Sequence, residues 1–349
     1  MKINSRGDSQ IRVGITHGDI NGIGYEIIIK TFADSRILDF CVPVIYGSSK
    51  IAAYHRKMVN VDEFNFHIIK NSSEIIPKKV NLINCIEKEV KIDLGLSTPQ
   101  AGECSYLSLQ HAMKDLKDGK IDFILTAPIN KDNIQSNNFS FPGHTEYLAK
   151  ETNTQDYLMM LVCDKVRVGV ATGHMPLQDV SAQLTSELIL KKIKVMNDSL
   201  INDFGILKPK IAVLGLNPHA GDNGLLGKEE KEIISPAIEK ALDKGISAFG
   251  PYPSDGFFGK ADYMKFDGVI AMYHDQGLIP FKTLCFDQGV NFTAGLPIIR
   301  TSPDHGTGYD ISGKDLAAPD SFRSALYLGI DILRNRNNIK ELKENAMIK

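Results

Sequence analysis

The sequence predicts an α/β protein of two lobes, built on a mostly parallel sheet with a cleft between the lobes. Short apolar runs alternate with helical stretches along most of the 349 residues, the pattern left by parallel strands joined through crossover helices. A chain of this length exceeds what one small core organises. Three of its nine histidines also follow apolar runs directly, and open α/β sheets bind ligands outside the carboxyl ends of their strands.

In chain order, residues 11–16 read as a strand, 18–24 as a glycine turn and 26–32 as a helix. Strands at 42–46 and 80–84 flank a helix at 48–58, and a helix at 103–116 leads to a buried strand at 121–126. Pro142-Gly143-His144-Thr145-Glu146 opens a further helix. Strands near 157–163 and 166–171 precede a long amphipathic helix at 185–202, with apolar residues at helical spacing. Then come a strand at 211–216 and a helix at 227–242, with Glu229, Glu230 and Glu232 early in it, where carboxylates suit the helix dipole. The most apolar strand spans 267–273, and a polar, glycine-rich segment at 301–314 precedes a last helix at 321–334. The charged tail beyond residue 335 is expected to fray.

Composition narrows the function. Forty basic against 42 acidic residues give a net charge of −2, too little positive field to condense on nucleic acid. Five cysteines, dispersed and without a C-x-x-C pair, suggest reduced thiols and a cytoplasmic setting. Residues 1–10 are polar with no apolar signal region, and no run approaches the roughly 18–20 apolar residues that span a bilayer. The expectation is a cytoplasmic protein with no membrane or nucleic-acid partner.

His174, His219 and His274 each close a strand-like run, 45 and then 55 residues apart. One such histidine is usually a satisfied structural group. Three in the same topological position match a catalytic metal site, with three protein ligands and a position open to substrate. His55, His67 and His111 lie on polar stretches and read as surface. Lys282, Asn291 and Arg300 sit among apolar and Gly-Pro residues; they are solvated surface groups or the anion receptors of a pocket wall. His144 and Thr145, at a helix start, cap that helix or join free backbone N–H groups in binding an anion. Residues 18–24 match neither G-x-G-x-x-G nor a P-loop, so a tight strand-to-helix turn is the plainer account. Asp255, between proline and aromatic residues, is either a turn former or a general base with a raised pKa.

With those residues assembled, the chain resembles the 4-hydroxythreonine-4-phosphate dehydrogenase family over residues 13–332. The resemblance rests on Gly143-His144-Thr145-Glu146, Thr172-Gly173-His174-Met175-Pro176-Leu177, Leu216-Asn217-Pro218-His219-Ala220-Gly221 and Tyr273-His274-Asp275-Gln276-Gly277, together with the stretch from Gly295 to Thr307. It implies the isocitrate/isopropylmalate dehydrogenase-like fold, with NAD bound without the Rossmann fingerprint. Residues 1–138 plus 300–349 would form a cofactor-side lobe, and 139–299 a lobe for metal, substrate and dimer contacts. His174, His219 and His274 would hold a divalent metal (zinc, cobalt, manganese or magnesium), with His274 donated across a homodimer. His144, Thr145, Lys282, Asn291 and Arg300 would bind a small phosphorylated amino-acid substrate. Asp304, His305, Gly306, Thr307 and Asp310 resemble the adenosine loop of those dehydrogenases, and Asp255 is the candidate base. The implied reaction is NAD-dependent oxidation of 4-phosphooxy-L-threonine at C3 with decarboxylation, in vitamin B6 biosynthesis. A paralogue acting on a 4-phosphorylated sugar acid, such as 4-phospho-D-threonate, and a phosphate acyltransferase of related fold are the rivals. The first loop departs from the family pattern, with Ile20, Asn21 and Tyr25 where Pro, Ala and Pro are usual.

Overall fold

The computed structural model describes residues 10–346, so residues 1–9 of the polar amino-terminal stretch lie outside the description. Contacts divide the chain into two compact units: the chain through Tyr147 with Ile298–Ile330, and Leu148–Pro297 with the chain from Asp331. The described strands are β1 (Ile11–Thr16), β2 (Cys41–Gly47), β3 (His67–Ile69), β4 (Asn81–Asn84), β5 (Phe123–Thr126), β6 (Leu158–Val162), β7 (Arg167–Val170), β8 (Lys210–Leu214), β9 (Ser247–Tyr252), β10 (Gly268–Ala271), β11 (Val290–Ala294) and β12 (Arg300–Pro303).

In the first unit the strands run β3-β4-β2-β1-β5-β12, each pairing parallel. All of β2 is buried, as expected for a parallel strand covered on both faces. The helix Pro99–Lys117 begins on Thr98, whose hydroxyl accepts from Ala101 N at 3.3 Å, with Pro99 at the first helical position. Both features favour a helix start there.

The second unit orders its strands β11-β6-β7-β10-β8-β9. The pairs β11/β6 and β6/β7 are antiparallel, whereas β7/β10, β10/β8 and β8/β9 are parallel. Val168, Val170, Ala212, Leu214, Val269 and Ala271 pack with Phe257 and Phe281 in its core. Burying a Val, Leu or Phe side chain fully is worth roughly 1.5–3 kcal/mol. The fold is therefore the mixed, mostly parallel α/β kind expected from the pattern.

Several local expectations need correction. The helix His274–Cys285 was not legible because Pro280 lies inside it, and proline removes a donor and ordinarily breaks a helix. The stretch at 227–242 is helical as expected, but it opens on a π turn, Glu230–Ile234, before the helix Ser235–Asp243. The last helix runs Asp320–Ala346 instead of fraying beyond 335. It is pinned where Arg336 Nε donates to Asp203 Oδ1 at 2.6 Å and Asn335 Nδ2 to Asp203 O at 2.8 Å. His55 is buried, not superficial. Cys163 and Cys285 form a disulfide, while Cys41, Cys85 and Cys104 are buried thiols. The paired cysteines are 122 residues apart, and spacing carries no sign that the ends of β6 and of the helix His274–Cys285 meet. No described helix is long and apolar enough to cross a membrane.

Candidate functional site

Parallel pairing of β7, β10 and β8, in that order, turns three carboxyl ends toward one edge of the second unit. His174 lies past β7, His274 past β10 and His219 past β8. Thr172 fixes the first of these connections, its N and Oγ1 both donating to Met272 O at 3.2 and 2.7 Å. The rings of His174 and His274 are thereby brought to 5.4 Å between centroids. Gln276 ties the edge together: its Oε1 accepts from Met272 N at 2.6 Å, and its Nε2 donates to Gly215 O at 2.6 Å and Ser254 Oγ at 2.7 Å. Sequence reasoning missed Gln276, although its place two residues after a strand-end histidine marked the segment.

His219 lies on an unusual turn. His219, Ala220, Gly221, Asp222 and Asn223 all have φ between 40° and 78°. Only one of them is glycine. An L-residue in the left-handed region gives up roughly 1–2 kcal/mol relative to the right-handed one, so four such residues among five in succession need external support. Part comes from Ala220 N donating to Asn217 O at 3.1 Å and Leu226 N to Gly221 O at 3.1 Å. Lys231 Nζ also donates to Asn223 O.

The imidazoles suit a divalent ion, since neutral histidine is an ordinary ligand for zinc and its neighbours. His274 Nδ1 donates to Asp275 Oδ1 at 2.7 Å, leaving Nε2 available, as in carboxylate-supported metal histidines. Among the described residues of one chain, no three His, Cys, Asp or Glu side chains gather as a metal-holding group. Asp255 opens the short helix Ser254–Gly259 and is exposed; the aromatic setting inferred from its neighbours belongs to Phe257, which turns inward. Lys282 is half-buried late in the helix His274–Cys285, and Asn291 is half-buried on β11.

The first unit carries a different assembly. His144 begins the helix His144–Glu151 and Arg300 begins β12; they are 8% and 4% exposed. Arg300 Nε donates to Thr126 Oγ1 at 3.1 Å, and its Nη2 lies 3.3 Å from His144 Nδ1. A guanidinium can only donate, so Nδ1 accepts and the ring's proton sits on Nε2. That Nε2 is buried with no hydrogen-bond partner among the described residues. Burial, with Arg300 and Lys131 nearby, holds the His144 pKa well below the usual histidine range. Burial also lowers the Arg300 pKa to about 10. A buried cation beside an unsatisfied N–H donor is an arrangement an anion completes. Thr145, half-buried, lies in the first turn of the same helix.

The loop after β1 packs on the segment proposed for the cofactor. Asp19 Oδ2 accepts from Tyr309 Oη and Asn133 Nδ2, both at 2.8 Å. Asn21 Nδ2 donates to Leu96 O at 2.8 Å and Thr98 Oγ1 at 3.1 Å, while its Oδ1 accepts from Asp93 N at 2.8 Å. Ser312 Oγ donates to Asn21 O at 2.7 Å, and Ile23 N donates to Thr307 O at 3.0 Å. A Cβ on Gly22 would lie 2.5 Å from that same Thr307 oxygen, so only glycine fits. Asp304 N donates to Ser321 Oγ at 3.1 Å; His305 is half-buried, and Gly306 and Asp310 are exposed.

The residues that depart from the family's first-loop pattern account for one another. Tyr25 is fully buried and stacked between His17 and His55, each ring 5.2 Å away. His55 Nε2 lies 2.8 Å from Ile20 O. Burial lowers both histidines to about 4, so they are neutral near pH 7 and His55 donates to Ile20.

Residues 39–329 match the family model described as "Pyridoxal phosphate biosynthetic protein PdxA". The chain belongs to this family. It is 51% identical to a 4-hydroxythreonine-4-phosphate dehydrogenase of Bacteroides thetaiotaomicron over 98% of this chain and 94% of the relative. A D-threonate 4-phosphate dehydrogenase of Pectobacterium atrosepticum is 38% identical, covering 92% and 98% of the two chains. The crystal structure of the Klebsiella pneumoniae 4-hydroxythreonine-4-phosphate dehydrogenase superposes with a TM-score of 0.79 at 36% identity, covering 93% of this chain and 100% of that one. As a PdxA family member, the chain is a dehydrogenase.

Proposed function

We propose that this enzyme oxidises 4-phosphooxy-L-threonine at C3 with NAD and releases CO₂, giving 3-amino-2-oxopropyl phosphate for pyridoxal phosphate synthesis. The observation that carries the reading is the buried His144–Arg300 pair, with its unsatisfied Nε2–H, in a PdxA family chain. It supplies what a phosphate monoester needs: a fixed cation and N–H donors already stripped of water.

The residue roles follow. Arg300, His144 and Thr145 bind the phosphate or carboxylate end, and Lys282 and Asn291 bind the remaining polar groups. Asp304, His305, Gly306, Thr307 and Asp310 hold the adenosine part of NAD. His174, His219 and His274 would hold a divalent ion, zinc, cobalt, manganese or magnesium, with His274 supplied across a homodimer interface, so that the approach of His174 and His274 within one chain marks the edge and not the ligand set. When bound, the ion would supply Lewis acidity toward the substrate's hydroxyl and the nicotinamide would supply the hydride acceptor. Asp255, exposed at a helix start, accepts the hydroxyl proton. The oxidised substrate is a β-keto acid, whose carboxylate leaves as CO₂. The enzyme works in the cytoplasm.

A second reading, oxidation of 4-phospho-D-threonate, is favoured by the relative bearing that name at 38% identity. One assay separates them: NADH formation from each substrate, with and without a chelator. Turnover of 4-phosphooxy-L-threonine that the chelator abolishes supports the first reading. Turnover of the sugar acid alone replaces it with the second. Activity indifferent to chelation removes the metal.

A further inference from the structure

The left-handed turn that carries His219 is held from beneath by one buried carboxylate. Glu230 is 3% exposed. Its Oε1 accepts from Leu216 N at 2.8 Å and Asn217 N at 2.7 Å, and its Oε2 from Asn217 Nδ2 at 3.0 Å. A Cβ on Gly221, at the centre of the left-handed run, would lie 2.5 Å from the same Oε2. Glycine here lets the strained backbone rest on the carboxylate. Glu229 reinforces the grip, its Oε2 accepting from Asn217 Nδ2 at 2.8 Å and its Oε1 from Ser181 Oγ at 2.6 Å. Glu230 also begins the π turn Glu230–Ile234, a rare widening of a helix that recurs at functional sites.

A buried carboxylate is costly unless bonded, and an apolar side chain would fill the same space without that cost. What the carboxylate adds is direction: three N–H donors from the two residues entering the turn are aimed at one group. We propose that Glu230 is a positioning residue, fixing the left-handed turn so that the His219 imidazole is preset for the divalent ion. The proposal rests on the reading of His219 as a metal ligand. Glu230 acts only through His219 and touches no reacting atom.

The test uses the full-length protein stripped of metal, with Co²⁺ alone as the probe. Affinity, the visible ligand-field spectrum and the metal-free melting temperature are measured for the parent, His219→Ala, Glu230→Gln and Asn217→Ala. Glu230→Gln keeps an oxygen for the two backbone N–H groups but turns an amide NH₂ against Asn217. It is expected to weaken Co²⁺ binding about 10- to 100-fold, the range typical of outer-shell partners, and to alter the spectrum. The metal-free melting temperature should stay close to that of the parent. Asn217→Ala, which leaves both backbone bonds in place, should show the same change at about tenfold and serves if Glu230→Gln does not fold. Parent-like Co²⁺ affinity and spectrum in these variants, with binding lost in His219→Ala, would overturn the positioning role and leave the metal site standing. Parent-like binding in His219→Ala removes the metal reading itself.

Discussion

The two units prepare their candidate residues in opposite ways. In the first, Arg300 and His144 are buried and bonded to each other, and Arg300 also donates to Thr126. In the second, His174 and His219 are exposed on turns past β7 and β8, and His274 is half-buried at a helix start. The first unit buries its proposed anion-binding pair, whereas the second leaves His174 and His219 exposed, His219 on a left-handed turn. A phosphate is strongly hydrated and is best met by donors that are buried and fixed in advance, whereas a metal ion can be met by exposed imidazoles, provided that the backbone beneath them is held.

The largest effect that would break this contrast is in the second unit. His219→Ala should lower turnover more than about a thousandfold, the scale of losing a reacting-centre interaction worth roughly 4 kcal/mol. Its melting temperature should change little, because the side chain is exposed. A large loss of stability with modest loss of turnover would reverse the assignment of roles. Next, Arg300→Met should lower kcat/KM about 100-fold, since hydrogen bonds to charged groups are worth roughly 1.5–3 kcal/mol each. Stability should fall only modestly, by about 1–3 kcal/mol, because His144 Nδ1 and Thr126 Oγ1 lose their donor while a desolvated charge is also removed. Inorganic phosphate should raise the parent's stability by about 2.7 kcal/mol at a hundred times its Kd, and the Arg300→Met melting curve should ignore it.

A smaller effect probes the interior behind the first unit's loop. His17 and His55 titrate near 4 when folded, below the ordinary 6.5, so the unfolded chain binds more protons as the pH falls. Their contribution is complete above pH 6.5 and is lost progressively toward pH 4, roughly 3 kcal/mol for each at most. Denaturant midpoints measured across that range should therefore fall with acid, and His55→Gln should remove about half of the dependence. An unchanged slope in that variant would show that His55 is not the buried neutral group described. The smallest effect calibrates the others: Thr185→Ala, which removes the cap accepting from Leu188 N at 3.1 Å, should cost about 1 kcal/mol without altering kcat.

Much of this was legible in the sequence because parallel strands covered on both faces must be apolar throughout, as β2 and β10 are. The residues His144-Thr145-Glu146 also announced their helix start. Features set by tertiary context were not legible. Pro280 concealed the helix carrying both His274 and Lys282. Nothing marked five successive left-handed residues when only Gly221 among them lacks a Cβ. Glu230 looked like one more early-turn carboxylate until its burial and its three donors were seen. His55 could have been found, since Ile51, Ala52 and His55 share one helical face and all three are buried. The disulfide could not, because nothing in the spacing of Cys163 and Cys285 reports that they meet.

The bonds from Asp19, Asn21, Gly22 and Ile23 into the stretch from Thr307 to Ser312 carry a practical consequence for engineering. Neither loop can be redesigned alone, since a new side chain in one meets backbone or a buried amide of the other. Libraries aimed at the proposed cofactor segment should therefore diversify both loops jointly and select for compensating pairs.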